Sequence, residues 1–496
     1  MNFNKKLAVA VSGAVLLMAG QVAFADSATD IVDALVMKGV LTEEEGRLIT
    51  KGHTSKTNVT PVLKEKDKNF TIESPNGENS ISLSGRVHFD GRAYDYARDD
   101  NTANPATTSG AANQVSASGA DTFDIRRARI GVKYKFGKYY SGEVSANTVG
   151  TSGSADVLDV GYLDVAYFEK VKFRFGQFKM PFSMEQLGSS NNTDFIERSL
   201  VDSLIPAKER GVQVFGEPVP GTTYALAVSN GNIATGSTAS FGTETDNRVD
   251  NKDFIGRVTV NLAELMKNKE AVLHLGGAYS MGDTSLTNSN PLANNSSTSF
   301  RTEGRGITYY SQPVVGTLAA GQDRTLERKR MGLEFAFATG PFKVQTQYVK
   351  VDHSFLNVDA DIKSYYVEGL WTLTGEKHAD RYKAGAFGGI KPNKEFDANT
   401  FSGGAWEIGA RYSGMDLVDF KNMTAPSNFT NGNGATKIKG YTIGVKFVPN
   451  MNTRFMLDYV GTDLEDLTSA SPAILLVNGK QETQEKAVLF RTQFMF

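Results

Sequence analysis

Arg127, Arg129, Lys133 and Lys135 alternate with Ala128, Ile130, Val132, Tyr134 and Phe136. Residues two apart share one face of a strand, so the segment carries a cationic row and an apolar row. Fixed guanidinium groups suit one kind of chemistry in particular. Their planar fork pairs bidentately with phosphate oxygens and stays charged at any working pH. The same sorting recurs over residues 79–94. There Ile81, Leu83, Val87 and Phe89 lie opposite Ser82, Ser84, Arg86, His88 and Asp90. It also puts Asp164, Lys172, Arg174, Arg257, Arg330, Lys343, Gln345, Gln347, Arg411, Lys446, Arg454 and Arg491 on polar faces. Arg126 is out of phase, and a bulge near its strand end would turn it to the polar side. Enzymatic chemistry has less to build on. Histidines 53, 88, 274, 353 and 378 are scattered, and Gly-x-Ser-x-Gly, His-Glu-x-x-His and Gly-x-x-x-x-Gly-Lys patterns are absent. His88 reads as a polar strand residue, and charges such as Asp99-Asp100 and Glu327 beside Arg328 read as solvated loop groups.

Sixteen period-two segments position these residues: 79–94, 122–136, 138–149, 158–170, 171–178, 209–216, 221–229, 252–262, 271–281, 326–338, 341–352, 361–374, 403–414, 436–448, 452–462 and 485–496. Turns at Gly137-Lys138, Gly340-Pro341 and Pro449-Asn450 are short. The connections 95–121, 179–208, 230–251, 282–325, 375–402, 415–435 and 463–484 are long and polar. An even strand number with short turns at one rim and long loops at the other is the layout of a transmembrane barrel. The stretch 282–325 is too long for a compact soluble domain and suits a loop over or inside a pore. In the last strand Val488, Phe490, Thr492, Phe494 and Phe496 share one face, and the sequence stops on an aromatic. Such a strand closes a barrel in lipid, with both edges paired. A lysine or arginine facing the lipid midplane costs about 2–4 kcal/mol, so the polar rows must face an aqueous lumen.

Bulk composition agrees. There are 49 glycines against 14 prolines, 48 Phe plus Tyr, and no cysteine. The last fact excludes disulfides, thiolate metal sites and cysteine catalysis. Lys5 and Lys6 precede the apolar run Leu7 to Ala19, and Ala23-Phe24-Ala25 is a cleavage pattern, so residues 1–25 read as a signal peptide. Export removes two of 53 basic residues and leaves 51 against 55 acidic, a net charge of −4 that argues against nucleic acid as a partner. Residues 26–70 read as a periplasmic helical hairpin broken at Gly39, with a capping box at Thr42 and Glu45, then a polar linker. Residues 71–496 form the barrel domain.

The strand set resembles the phosphate-selective porin O and P family of bacterial outer membranes. The resemblance is carried by Leu83-Ser84-Gly85-Arg86, Phe123-Asp124-Ile125-Arg126-Arg127-Ala128, Gly161-Tyr162-Leu163-Asp164, Phe175-Gly176-Gln177-Phe178-Lys179-Met180-Pro181-Phe182 and Phe195-Ile196-Glu197-Arg198. It continues through Leu373-Thr374-Gly375-Glu376, Arg381-Tyr382, Ile390-Lys391-Pro392, Gly404-Ala405-Trp406-Glu407 and the closing strand. The resemblance implies an outer-membrane homotrimer of all-β, 16-stranded antiparallel barrels, with constriction loops folded into the lumen. It implies passive diffusion of small anions: phosphate, chloride and, by extension, polyphosphate. Lipid and lipopolysaccharide are the surrounding partners, with no cofactor or metal. By position, Arg86, Arg126 and Arg127 match an arginine ladder, and Asp164 matches an aspartate near the constriction. Arg301 and Arg305 fall in the arginine-bearing loop. Gln186 falls where phosphate-selective members carry a lysine, and an amide holds an anion far less strongly than a fixed charge in a narrow throat. Lys179 lies close by as a candidate substitute. A general or cation-preferring diffusion porin is the alternative within this fold, favoured by Asp164 and Glu185. An outer-membrane enzyme and a soluble adhesin are the other classes.

Overall fold

The computed structural model describes residues 32, 34–49, 61–66, 69–95, 121–149, 158–231, 252–285, 299–311, 314–315, 325–355, 358–421, 429–430, 433–467, 476–477, 480–481 and 483–496. Residues 1–25, expected as a signal peptide, and much of the loops 95–121, 230–251, 282–325, 415–435 and 463–484 lie outside these residues. Contacts divide the chain into two compact units, residues 1–84 with 132–141, and residues 85–131 with 142–496.

In the first unit Thr42 and Glu45 form the expected capping box. The Thr42 N–H donates to Glu45 Oε2 at 2.9 Å, and the Glu45 N–H donates to Thr42 Oγ1 at 3.2 Å. The stretch expected as a polar linker instead contains a β-hairpin, Val62–Lys66 paired with Asn69–Glu73. Its charges obscured it: Lys64 and Glu73, on opposite strands, form an ion pair at 3.2 Å.

Sixteen strands build the antiparallel barrel: β1 (Ser80–Tyr94), β2 (Thr122–Phe136), β3 (Tyr140–Asn147), β4 (Val160–Val165), β5 (Lys172–Lys179), β6 (Lys208–Val219), β7 (Thr222–Ser229), β8 (Asp253–Asn261), β9 (Ala271–Ser285), β10 (Thr325–Thr339), β11 (Phe342–Phe355), β12 (Val358–Thr372), β13 (Ala405–Asp416), β14 (Asn433–Asn450), β15 (Thr453–Leu467) and β16 (Gln484–Met495). Closure runs from Ala487 opposite Tyr94 to Met495 opposite Arg86. Gly85 and Phe496 exchange backbone hydrogen bonds of 2.8 and 3.1 Å. Gly85 has no side chain because the Phe496 ring occupies the space: a Cβ there would lie 2.2 Å from the ring.

Alternation is strict where strands are long. In β10 every second residue from Leu326 to Ala338 is buried. Trp371, Trp406 and Phe455 face outward toward the short-turn ends, and Tyr365, Tyr412 and Tyr459 toward the other ends. Trp406 and Tyr412 are six residues apart, about 20 Å along a strand. This reproduces the aromatic girdles of a membrane barrel.

Two connections depart from the expected alternation of rims. Phe355 pairs with Val358, leaving two residues between β11 and β12 on the long-loop rim. The long connection 373–404 therefore starts from the same rim as the Gly340-Pro341 turn. The Thr372 N–H donates to Pro341 O at 2.9 Å, and the His378 N–H to Gly340 O at 3.0 Å. In bacterial barrels that rim faces the periplasm.

The inward rows are not uniformly polar. Toward the long-loop rim of β11–β15, Val349, Val351, Phe355, Ala360, Ile362, Met415, Ile438 and Leu464 point in and are buried. Leu200, Val201, Leu204 and Ile205 of the β5–β6 connection pack on them, together with Phe300, Ile307, Tyr309 and Tyr310 of the β9–β10 connection. These strands are apolar on both faces, one toward lipid and one toward infolded loops. Phase arguments that allow apolar residues only on the outside cannot detect this.

Candidate functional site

Three connections enter the barrel. Residues 180–207 follow β5, residues 299–311 belong to the loop after β9, and residues 379–390 rise from the periplasmic rim. Each is tied to inward side chains. Arg491 Nη1 donates to Ile196 O at 2.7 Å, and the Ile196 N–H donates to Asp458 Oδ2 at 2.6 Å. Gln493 Nε2 donates to Asn191 O at 3.0 Å, and His88 Nε2 lies 3.1 Å from Asn191 Oδ1. Glu303 locks the first two loops together. Its carboxylate accepts from the Leu200 N–H (3.2 Å), Ser413 Oγ (2.5 Å), Arg411 Nη2 (2.7 Å) and Thr442 Oγ1 (2.9 Å). The periplasmic loop is fastened by Arg381 to Glu407 (3.0 Å), Tyr382 to His274 (2.7 Å) and Arg257 to Gly385 O (2.8 Å). Phe387 then packs with Met184 in one apolar cluster, so loops from opposite rims meet inside the barrel.

Arg126 lies inside. The exposed apolar row of β2 changes parity from Phe123 and Ile125 to Ile130, Val132 and Phe136. Such a change of parity is what a one-residue bulge would produce, and it would turn the consecutive Arg126 and Arg127 to the same side. Arg126 clasps Glu197 bidentately, at 2.9 Å to Oε1 and 3.3 Å to Oε2. Arg92 (2.8 Å), Arg305 (3.8 Å) and Arg491 (3.8 Å) crowd the same carboxylate. Burial disfavours the Glu197 anion, but Arg126, Arg305 and Arg92 outweigh it and hold the carboxyl well below its usual range. Arg305 is pushed down to about 10, first by Arg126, and remains charged at neutral pH.

The remaining expected residues are dispersed. Arg86 donates to Ser190 Oγ at 2.7 Å and has no ion pair among the described residues. Arg127 has neither a side-chain hydrogen bond nor an ion pair among them. Asp164 is saturated by Arg174 at 2.6 and 2.7 Å, and that guanidinium stacks on Tyr162 at 3.9 Å. Arg301 is exposed and forms no ion pair with Glu197 among the described residues. Gln186 sits in the short helix Met184–Leu187, buried, its side-chain oxygen without a partner among the described residues. Lys179 does not substitute for it as a free charge. Its Nζ is engaged by the carbonyls of Gln186 (2.6 Å), Leu187 (3.4 Å) and Gly188 (2.5 Å), closing the end of that helix.

Sequence reasoning missed Arg198. Arg198 Nη2 donates to Gly188 O at 3.3 Å, and Asp202 is its nearest acid at 3.7 Å. It therefore flanks the stretch that Arg86 touches at Ser190. The Glu197-Arg198 pair gave no phase signal because it lies in a connection rather than a strand. A small cavity of about 30 Å³ adjoins the segment, its lining including Glu185, Asp194, Glu368 and Arg411. These acids are offset locally: Arg411 lies 3.8 Å from Glu185, and Lys343 lies 2.6 Å from Asp194 and 3.7 Å from Glu368. His274, His353 and His378 are buried alongside His88, and the described residues hold no cluster of acids and histidines that fits a metal.

The phosphate-selective porin O and P family model matches residues 103–496. Porin O of Pseudomonas aeruginosa is 26% identical over 424 residues, covering 80% of this chain and 86% of that protein. Among solved structures, the anion-selective porin from Comamonas acidovorans aligns with 84% of this chain and 100% of its own, at 11% identity and a TM-score of 0.49. The outer-membrane channel DcaP of Acinetobacter baumannii aligns with 84% and 98%, at 12% identity and a TM-score of 0.47. The family match covers most of the chain and ends on the strand that closes the barrel, so this protein belongs to the phosphate-selective porin O and P family and is a barrel of the bacterial outer membrane.

Proposed function

We propose that this porin conducts small anions passively, phosphate and related oxyanions among them, along a basic wall formed by Arg86, Arg127 and Arg198. The observation that carries the reading is an imbalance of pairing. Glu197 is shared by several arginines and Asp164 is fully clasped, whereas Arg86 and Arg127 form no ion pair with an acid among the described residues. A carboxylate already saturated with guanidinium groups attracts little further cation, while an unpaired guanidinium keeps its affinity for an anion. The Ser190 hydroxyl and Arg86 offer neighbouring donors to an oxyanion. Several modest sites in series allow entry and exit, where one tight site would block flow. Gln186 adds no charge, so selectivity for phosphate over chloride is expected to be weak.

Family resemblance and barrel architecture also support a homotrimer, a cleaved leader over residues 1–25, a periplasmic segment over 26–70, and contact with lipopolysaccharide at the outer rim. The test is electrical. In planar bilayers under a KCl gradient the reversal potential is expected to report anion preference, and Arg127→Ala to reduce it. A cation-selective wild-type channel would overturn the reading.

A further inference from the structure

The outer face of β13–β15 carries an aromatic chain that does not stop at the end of the strands. Trp406 stacks on Phe447 at 4.4 Å between centroids, and Phe447 stacks on Phe455 at 6.4 Å. Trp406 and Phe455 are lipid-facing residues of the periplasmic girdle. Phe396, from the connection 373–404, packs edge-on against Phe447 at 5.3 Å. Phe401 then packs edge-on against Phe396 at 6.2 Å. Phe401 is 84% exposed, against 38% for Phe455.

The turn that presents Phe401 is built, not slack. Asp397 and Ser402 form an isolated bridge, and Asp397 Oδ1 accepts the Asn399 N–H at 2.8 Å. Phe401 itself sits at φ 49°, a left-handed conformation that bulky side chains rarely adopt. Gly404 is required beside it, since a Cβ there would lie 2.5 Å from the Phe447 ring. Lys391 and Lys394 are exposed on the same loop, and Lys394 Nζ donates to Ser402 Oγ at 3.3 Å.

We propose that the Phe396–Phe401 turn docks into the periplasmic leaflet, with Phe401 among the acyl chains and Lys391 and Lys394 on phospholipid phosphates. A turn held in a disfavoured conformation to extend a lipid-facing girdle has one economical explanation: the girdle continues with it. Aromatic rings belong at this depth, and lysines next to them reach anionic headgroups. Continuity with the lipid-facing girdle favours phospholipid over a second copy of this chain. The same connection reaches into the lumen at Phe387 and Gly389, where a Cβ on Gly389 would meet Arg454 and Asn192. Lipid contact would thus steady a loop that narrows the pore.

The test exploits the absence of native cysteine. The full-length porin bearing Phe401→Cys is nitroxide-labelled and reconstituted into phosphatidylethanolamine/phosphatidylglycerol bilayers. Oxygen is expected to relax the label several-fold more than a water-soluble nickel chelate does, as at Phe455→Cys. Nickel-dominated relaxation would overturn the proposal. So would spin–spin broadening between protomers, which would assign the turn to a subunit contact.

Discussion

At the residue scale, selectivity turns on which charges remain unpaired. Gln186 is the clearest lever because it is buried, carries no charge and leaves its side-chain oxygen without a partner among the described residues. Gln186→Lys is expected to increase phosphate block of chloride current by tenfold or more, since about 1.4 kcal/mol of added attraction is a factor of ten. Unchanged block in single-channel recordings would move the narrowest point elsewhere. Glu197 makes the pH prediction. Its folded-state pKa lies below the ordinary carboxyl value, so its contribution to stability is complete above about pH 4.3 and is lost only as pH falls through the depressed value. The contribution of Glu197 to ion selectivity should therefore be constant from pH 7 to pH 5. Glu197→Gln is expected to raise anion preference while lowering thermal stability, because four arginines lose their common counter-charge.

At the scale of elements, Glu303 holds the infolded loops. Removing one member of a buried, hydrogen-bonded charge pair costs about 3–5 kcal/mol. Glu303→Ala is expected to lower the unfolding temperature and to make single-channel current noisier, as residues 299–311 lose four bonds. Quiet, wild-type traces would show that the apolar packing of Phe300, Tyr309 and Tyr310 suffices. All sixteen strands were legible in the sequence, because lipid outside enforces alternation that residues such as Ile81 and Phe490 display. The infolded connections were less legible. Whether residues 180–207 lie in the lumen depends on partners such as Asp458 and Arg491, each more than 250 residues away along the chain. The rim of the connection 373–404 was misjudged because only two residues separate Phe355 from Val358, and strand spacing alone did not reveal so tight a return. The hairpin Val62–Lys66 with Asn69–Glu73 escaped notice because alternating charges mimic a linker.

At the scale of the whole molecule, the barrel is closed by β16 on β1 and buried in lipid on its outer face. Without boiling, the folded porin is expected to run on gels as a compact or trimeric species and to shift on heating. Gly85→Val should weaken that resistance, since the closing Phe496 ring loses its seat. A single band at the unfolded mass, boiled or not, would contradict a closed barrel. The candidate residues were legible as a class but not as a constellation. Arg86, Arg126 and Arg127 follow from strand phase and resemblance, whereas the pairing that leaves some of them free depends on Glu197 and Ser190, which no periodicity marks.

The apolar packing inside β11–β15 has a hydraulic consequence. Strand count sets the circumference of the cylinder, but a dry wedge of Val349, Ile362, Ile438 and Leu204 occupies one sector of its cross-section. Water and solute are then expected to pass off-axis, on the side where Arg86 and Arg127 stand. A cross-section partly filled in this way should bring passing ions nearer to arginine, and its unit conductance is expected to fall below that of an open cylinder of equal girth.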